Sequence, residues 1–179
     1  SKSKVMIFNK SRNYDFPSEF FFRNGDFLEC LEETKLLGIQ IHSSLKWNSN
    51  TAAFYSKSMS KMWLLRRMKL LKLEPSLIFD YFVKEIRPLA EQGVAVWNSG
   101  LTKAQVKDIE KIQKVALLII LGEEYSEYEA ACERFGITSL SLRRAQLCAN
   151  FAVKLFKGPR REQFFTLSEQ GVTRNEKNL

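Results

Sequence analysis

The sequence lacks the side chains that most metal and redox sites require. It has one histidine, His42, and three widely separated cysteines, Cys30, Cys132 and Cys148. No C-x-x-C pair is present, and an odd number of separated thiols indicates neither a disulfide framework nor a structural zinc site. The thiols fit a reducing compartment. We therefore expect an intracellular protein, in the nucleus or the cytoplasm, with no metal and no cofactor.

Acidic residues suited to catalysis and long apolar runs are also scarce. The aspartates are Asp15, Asp26, Asp80 and Asp108, and none of them is adjacent to another. The sequence has no glycine-rich phosphate-binding loop either. The longest purely apolar run, Val115–Leu121, is much shorter than the roughly 20 residues that cross a bilayer. We expect neither an enzyme nor a membrane protein.

Positive charge and apolar residues are abundant. The formal net charge is +8 and 45% of the residues are hydrophobic, so the composition predicts a folded, basic protein. Such a protein favours an anionic partner, nucleic acid before a membrane surface. The charge is concentrated in the middle of the chain, because residues 50–121 contain 12 basic and 6 acidic residues.

Short apolar or alternating stretches predict strands in residues 1–49. Lys4–Asn9 is a candidate strand, and an Asn-Gly pair at 24–25 separates two apolar runs, which is typical of a hairpin. Lys35–Ser43 alternates like a further strand, in which Gly38 indicates a bulge or a close approach by another backbone. These residues predict a small antiparallel β unit of three or four strands, which needs a partner on one face.

Residues 50–157 predict a bundle of about five helices. The first begins near Asn48, where asparagine and serine side chains are suited to cap it. Pro88 divides the second near Arg87, and Thr102 caps the third. The fold class is therefore α+β, and residues 158–179 form a polar, flexible tail. Leu142, Phe151 and Leu155 are among the residues expected to be buried in the last helix, as are Trp63 and Trp97 in earlier ones, whereas Trp47 either packs or stacks on a base.

Two sets of basic residues carry the functional prediction. Six lie on the first helix between Lys57 and Lys72 with no acidic residue among them. Four more recur at three- and four-residue spacing on the third helix, so they form one stripe, which Asp108 and Glu110 partly offset. A phosphate-lined partner suits such surfaces, and a merely solvated basic face is the alternative. The candidate nucleic-acid-binding residues are Lys57, Lys61, Arg66, Arg67, Lys69, Lys72, Lys103, Lys107, Lys111 and Lys114.

Motifs in the first fifty residues resemble a known family. Lys2–Phe8 is similar to a K-T-K-x-M-x-F strand, and Leu36–Ile39 followed by Ser44–Trp47 is similar to an L-G-x-x-[IL] … L-x-W segment. They resemble the end of the palm and the primer-grip hairpin of reverse transcriptases from non-LTR (LINE-type) retrotransposons. The resemblance implies a primer-grip-like role for Leu37, Gly38 and Ile39.

The helical half continues this resemblance through the start of the thumb and a helical extension. Glu91 or Gln92 stands where the family often has an aromatic residue. The resemblance includes neither the fingers nor the paired aspartates of the catalytic turn, so it implies a fragment with no catalytic residues. The matching segments are Leu64–Arg67, Ile86–Pro88, Val96–Trp97, Ile109–Lys114, Tyr128–Cys132 and Phe135–Arg144.

The function implied by the resemblance is non-catalytic nucleic-acid binding. A thumb-like fragment holds a template–primer duplex of RNA, DNA or both, mainly through phosphates, which position the duplex without reading its sequence. The expected partners are nucleic acid and a palm and fingers region or another protein, with no membrane. The alternative is a protein-interaction or oligomerisation module, in which Phe20–Phe22 and Phe164–Phe165 belong to an exposed apolar surface.

Overall fold

The structure, a computed structural model, describes residues 3–8, 20–23, 25 and 27–159. It is an α+β fold in which short strands precede a helical bundle, as predicted. Within the described ranges the strands are β1 Lys4–Val5, β2 Phe20–Phe21, β3 Phe27–Cys30, β4 Glu33–Leu36 and β5 Ile39–His42. The α-helices are α1 Asn48–Leu70, α2 Pro75–Tyr81, α3 Val94–Trp97, α4 Lys103–Leu121, α5 Tyr128–Arg134 and α6 Leu140–Lys157. Residues 160–179, with Phe164 and Phe165, lie outside the described residues.

The strands form two small sheets. One has the order β1-β3-β2 and the other pairs β4 with β5. β2 and β3 are antiparallel on either side of the Asn-Gly pair, so the predicted hairpin is confirmed. β1 pairs parallel to β3, Lys4 opposite Glu29 and Val5 opposite Cys30. The prediction of a wholly antiparallel unit is therefore wrong at this edge, because β1 joins β3 on the side opposite the hairpin.

The stretch predicted as one strand is the β4–β5 hairpin. Leu36 pairs with Ile39 across a two-residue turn in which Leu37 and Gly38 have φ of 50° and 89°. Positive φ at both central residues is the geometry of a type I′ turn, not of a bulge. The predicted close approach at Gly38 is made by a side chain, since Gln92 Nε2 donates to the Leu37 carbonyl at 3.1 Å. A Cβ on Gly38 would lie 2.5 Å from the same nitrogen.

The asparagines at the start of α1 join other elements instead of capping the helix. The N-cap position is Trp47 and no side chain caps it. Asn50 Oδ1 accepts a hydrogen bond from the Gln40 backbone N–H of β5 at 3.1 Å. Asn48 Oδ1 accepts one from Gln105 Nε2 of α4 at 2.7 Å. The predicted asparagine cap is therefore wrong, because neighbouring segments use these oxygens.

Helices α1 and α4 run parallel and form the centre of the bundle. Asn48 and Gln105 meet at their N-terminal ends, and Lys69 Nζ donates to the Ile120 carbonyl at 2.7 Å near their C-terminal ends. The two helices are about 35 and 28 Å long. The apolar core is formed by residues of these two helices and of the elements packed on them, and it includes Met62, Leu65, Ile78, Phe82, Trp97, Ile109, Ile112, Ala116 and Leu140.

The second predicted helix is divided, as expected, around Pro88. After α2 the chain forms a π turn over Phe82–Ile86 and a 3₁₀ turn over Arg87–Ala90 before α3. Proline has no N–H to continue the ladder of hydrogen bonds, so a regular helix ends here. Gly93, with φ of 62°, then packs so closely on β5 that a Cβ would lie 2.2 Å from Ile39 Cδ1.

Local signals place the ends of the last three helices correctly. Thr102 and Gln105 form a capping box on α4, Gly136 follows α5 with φ of 61°, and the Ser139 hydroxyl accepts from the α6 backbone. Burial of α6 differs from the prediction, because Leu140, Arg144 and the partly buried Leu147 and Cys148 all lie in the N-terminal half, where α6 meets α3 and α4. Four residues predicted as buried are exposed: Leu142, Ala145, Phe151 and Leu155.

Candidate nucleic-acid interface

One side of α4 carries a stripe of four lysines, which we call the lysine stripe. All four side chains are exposed. At 100° per residue they fall within about 80° of the helix circumference, and they extend over about 16 Å along the axis. They line one surface groove of about 550 Å³, here called the lysine groove, whose other lining residues are Val106, Glu110, Tyr128, Glu129, Ser139 and Ser141. The residues of the lysine stripe are Lys103, Lys107, Lys111 and Lys114.

Two members of the lysine stripe have neighbours and two do not. Lys111 Nζ lies 2.7 Å from Asp108 Oδ1, and this hydrogen bond raises the pKa of Lys111. Lys114 Nζ lies 4.8 Å from the centre of the Tyr128 ring, a cation–π contact. Among the described residues, no hydrogen bond or ion pair engages Lys103 or Lys107. Lys103 and Lys107 are therefore open to solvent without a partner in the described ranges, whereas Asp108 offsets Lys111, as predicted.

Glu110, which was predicted to offset part of the lysine stripe, binds the N-terminal end of α6 instead. Its carboxylate turns to the N-terminal end of α6, where it accepts from the Leu140 and Ser141 backbone N–H groups at 2.8 and 2.9 Å. It also accepts a short hydrogen bond from the Tyr128 hydroxyl. Anionic groups are favoured at this end of a helix, so the charge of Glu110 is matched by α6.

Hydrogen bonds hold the wall of the lysine groove at Tyr128. Gln113 Nε2 donates to the Tyr128 hydroxyl at 2.8 Å and to the Thr138 carbonyl at 2.9 Å. Burial, followed by the hydrogen bond to Glu110, raises the pKa of Tyr128 far above its usual range. Burial also raises the pKa of the Cys132 thiol. Both groups stay protonated at neutral pH, and a protonated thiol is a poor nucleophile.

The six basic residues of α1 do not form one surface. Lys61 and Arg66 project about 140° apart around the helix axis. Lys61 Nζ pairs with Glu85 Oε2 at 3.0 Å, and Lys69 Nζ binds the C-terminal carbonyls of α4 at Ile120. The prediction of an unneutralised cationic side is therefore wrong for Lys61 and Lys69, because both serve contacts within the fold.

The other four cations of α1 and its C-terminal end are exposed. Within the described part of the chain, none of them has a hydrogen-bond or ion-pair partner through its side chain. Lys72 lies just beyond the helix with φ of 56°, a left-handed conformation. Arg66 and Arg67 lie near Trp63 on the solvent side of α1. The four residues are Lys57, Arg66, Arg67 and Lys72.

The three tryptophans differ in exposure. Trp97 is fully buried, as predicted, and Trp47 is 5% exposed and packs over Gly100, so it is a core residue and offers no stacking surface. Trp63 is 59% exposed. The prediction that Trp63 belongs to the core is wrong, because the buried side of α1 passes through Met62 and Leu65 and leaves Trp63 facing solvent.

A second groove of about 480 Å³ separates the N-terminal halves of α1 and α4. Tyr55 and Ala52 line it on α1, and Asp108 and Lys111 line it on α4. Lys111 borders both grooves. The lysine stripe is therefore continuous with the cleft between the two long helices.

The primer-grip-like residues lie apart from the lysine groove. Leu37 is 87% exposed at the tip of the β4–β5 hairpin. Gly38 and Ile39 face Gln92 and Gly93. None of the three lines the groove, so the structure does not bring these residues and the lysine stripe into one pocket.

Carboxylates in the described part of the chain are dispersed. Asp80 pairs with Lys84 at 2.9 Å, and Asp15 and Asp26 lie outside the described residues. Across residues 3–8, 20–23, 25 and 27–159, no cluster of three or more histidine, cysteine or acidic side chains is arranged to hold a metal ion. His42 ends β5 and its Nδ1 accepts from the Ser44 backbone N–H at 3.1 Å. In the same ranges, none of the helices has the length and hydrophobicity to span a membrane.

No known protein family matches the chain, and neither a curated protein nor a solved structure matches it. The candidate site therefore depends on the geometry of this molecule alone. Sequence reasoning overlooked the exposed face around Trp63 and the cluster of Glu110, Gln113 and Tyr128. The cluster joins residues up to 18 positions apart and bonds to Ser141, 31 positions from Glu110, and no local pattern marks such contacts.

Proposed function

We propose that this chain is a non-catalytic nucleic-acid-binding region that resembles the thumb of a retrotransposon reverse transcriptase. In this proposal the lysine stripe of α4 holds the phosphates of a duplex of RNA, DNA or both. One observation carries the proposal: four exposed lysines line one groove. Their three- and four-residue spacing places them within about 80° of the circumference of α4.

The length of the lysine stripe sets the expected size of the contact. Phosphates along one strand are spaced by about 3.4 Å of helix rise, so a stripe of about 16 Å faces about five of them. Four lysines that neutralise three or four phosphates give a slope of log affinity against log salt of about −3 to −4. Contacts to phosphates position a duplex and do not select its sequence.

The exposed cations of α1 support this binding from a distance. Lys57, Arg66, Arg67 and Lys72 add to the positive potential that draws a polyanion toward the protein. Because they project in different directions, they contribute to the rate of association more than to contacts in the bound state.

The test removes the charge of the lysine stripe without truncating its side chains. The variant Lys103→Gln/Lys107→Gln/Lys114→Gln is compared with the unmodified protein by fluorescence anisotropy on a labelled duplex of about 16 base pairs, between about 50 and 200 mM salt. We expect the salt slope to become shallower by about 2.7, which is 0.9 for each lost phosphate contact.

A matched control loses the same three charges elsewhere. Lys35, Lys46 and Lys154 are exposed, lie outside the lysine groove and have no ion-pair partner among the described residues, so Lys35→Gln/Lys46→Gln/Lys154→Gln should keep most of the slope. Equal slopes in both variants, with both proteins folded by circular dichroism, would show that only net charge matters and would refute the assignment of the lysine stripe.

A further inference from the structure

Helix α1 presents an apolar stripe to solvent. Trp63 is 59% exposed and Leu70 is 72% exposed. They are seven residues apart, so they lie within about 20° of each other around α1 and about 10 Å apart along it. Leu71, the next residue along the chain, is 73% exposed.

Arginines border this apolar stripe on both sides. Relative to Trp63, Arg66 projects about 60° to one side and Arg67 about 40° to the other. No acidic residue occurs between Lys57 and Lys72, and no ion pair engages either arginine within the described ranges. The exposed face of α1 therefore combines apolar anchors with uncompensated positive charge.

This combination fits an acidic protein segment better than a nucleic acid. A phosphate backbone matches the arginines but offers nothing to exposed leucines, whereas tryptophan and arginine are the residues that dominate binding at protein interfaces. An amphipathic helix of a partner can lay its apolar stripe on two apolar side chains that are two helical turns apart, as Trp63 and Leu70 are. Acidic residues that border the partner's stripe would pair with the arginines, as flanking charges do in coiled coils.

We propose that the face of α1 formed by Trp63, Arg66, Arg67 and Leu70 is a docking site for an acidic amphipathic helix of a partner protein. This site, the α1 face, lies outside the lysine groove. Arg66 and Arg67 add only to the long-range attraction of the nucleic acid proposed above and make no contact in the lysine groove, so either proposal can fail without the other.

The tryptophans provide a direct readout of the α1 face. Trp47 and Trp97 are buried, so Trp63 accounts for nearly all fluorescence that acrylamide quenches. The probe is a synthetic helical peptide with leucines at positions i, i+3, i+4 and i+7 and glutamates beside them. The control peptide has the same leucines with lysines in place of the glutamates. We expect the acidic peptide to shift Trp63 emission to the blue and to protect it from acrylamide, and the basic peptide to do neither.

Variants separate the apolar and the charged contributions. Leu70→Ser should weaken binding of the acidic peptide about tenfold or more, because the variant lacks the leucine side chain that binding would bury. Arg66→Glu/Arg67→Glu should abolish binding of the acidic peptide and allow the basic one to bind. The variant of the lysine stripe should bind the acidic peptide normally. All these substitutions lie at exposed positions, and circular dichroism checks that the helices persist.

Several results would overturn the proposal. One is that the acidic peptide leaves Trp63 accessible to acrylamide, and another is that both peptides bind equally. Protection of Trp63 by the duplex instead of the peptide would assign the α1 face to nucleic acid. Protection that follows protein concentration alone would assign it to a second copy of the chain.

Discussion

Replacing Glu110 by alanine should destabilise the protein more than any other change of one exposed or half-buried charge on α4. The substitution removes the acceptor of the Leu140 and Ser141 N–H groups and of the Tyr128 hydroxyl. Ser139 still caps α6, but loss of a further acceptor at a helix N-terminus costs about 1 kcal/mol, and loss of a hydrogen bond to a charged group about 1.5–3 kcal/mol. Because Gln113 still binds the Tyr128 hydroxyl, we expect a total of about 3 kcal/mol.

This loss is large enough to measure in two ways. For a chain of this size it lowers Tm by about 6–12 °C, and urea unfolding followed by circular dichroism gives the free energy directly. Hydrogen exchange should also speed up at the Leu140 and Ser141 amides. Glu110→Gln keeps one acceptor oxygen and loses the charge at the α6 N-terminus, so it should cost about 1–1.5 kcal/mol.

Glu129 provides the control, because it is an exposed acid in the same groove without a hydrogen-bond or ion-pair partner among the described residues. Glu129→Ala should change stability by less than about 0.5 kcal/mol. If Glu110→Ala is equally harmless, Glu110 does not hold α6 and the reasoning is wrong.

Two further predictions concern stability. Gly93→Ala places a Cβ 2.2 Å from Ile39 Cδ1 and puts an alanine at positive φ, so the free energy of urea unfolding should fall by about 3 kcal/mol. Gly136→Ala has only the positive φ, and its free energy of unfolding should fall by about 1 kcal/mol. Equal losses in the two variants would contradict the contact between Gly93 and Ile39. Burial raises the pKa of Tyr128 above its ordinary 10.0 and that of Cys132 above 9.0, so their stabilisation is complete below about pH 9 and declines as pH rises and the unfolded chain ionises first. Tyr128→Phe should reduce this decline above about pH 10 by up to about 1.4 kcal/mol per pH unit, and an unchanged slope in urea unfolding would contradict it.

The helix ends that the sequence predicted well depend on neighbouring residues. Thr102 and Gln105 cap each other's backbone within one turn, and Pro88 interrupts the helix in which it stands. Such contacts are present in any short window of the chain, so caps, breaks and the α+β order could be predicted without the fold.

The wrong predictions for two lysines of α1 have a different cause, which is that their partners are far away along the chain. Lys61 finds Glu85 24 residues away, and Lys69 finds the Ile120 carbonyl 51 residues away. Neither partner is visible in a helical pattern, so both lysines resembled free cations. The turn between β4 and β5 was missed for a local reason. Leu37 has a φ of 50° there, but a leucine in the sequence does not signal a turn as asparagine or glycine does.

The parallel arrangement of α1 and α4 gives the protein a permanent electrical axis. Peptide dipoles of two helices that point the same way add together instead of cancelling, and each helix carries about half a positive charge at its first turn and half a negative charge at its last. Asn48 and Gln105 mark the positive end, and Lys69 neutralises part of the negative one. Because this field is screened by salt and falls off within about one turn, it favours negative charge only beside the beginnings of the two long helices.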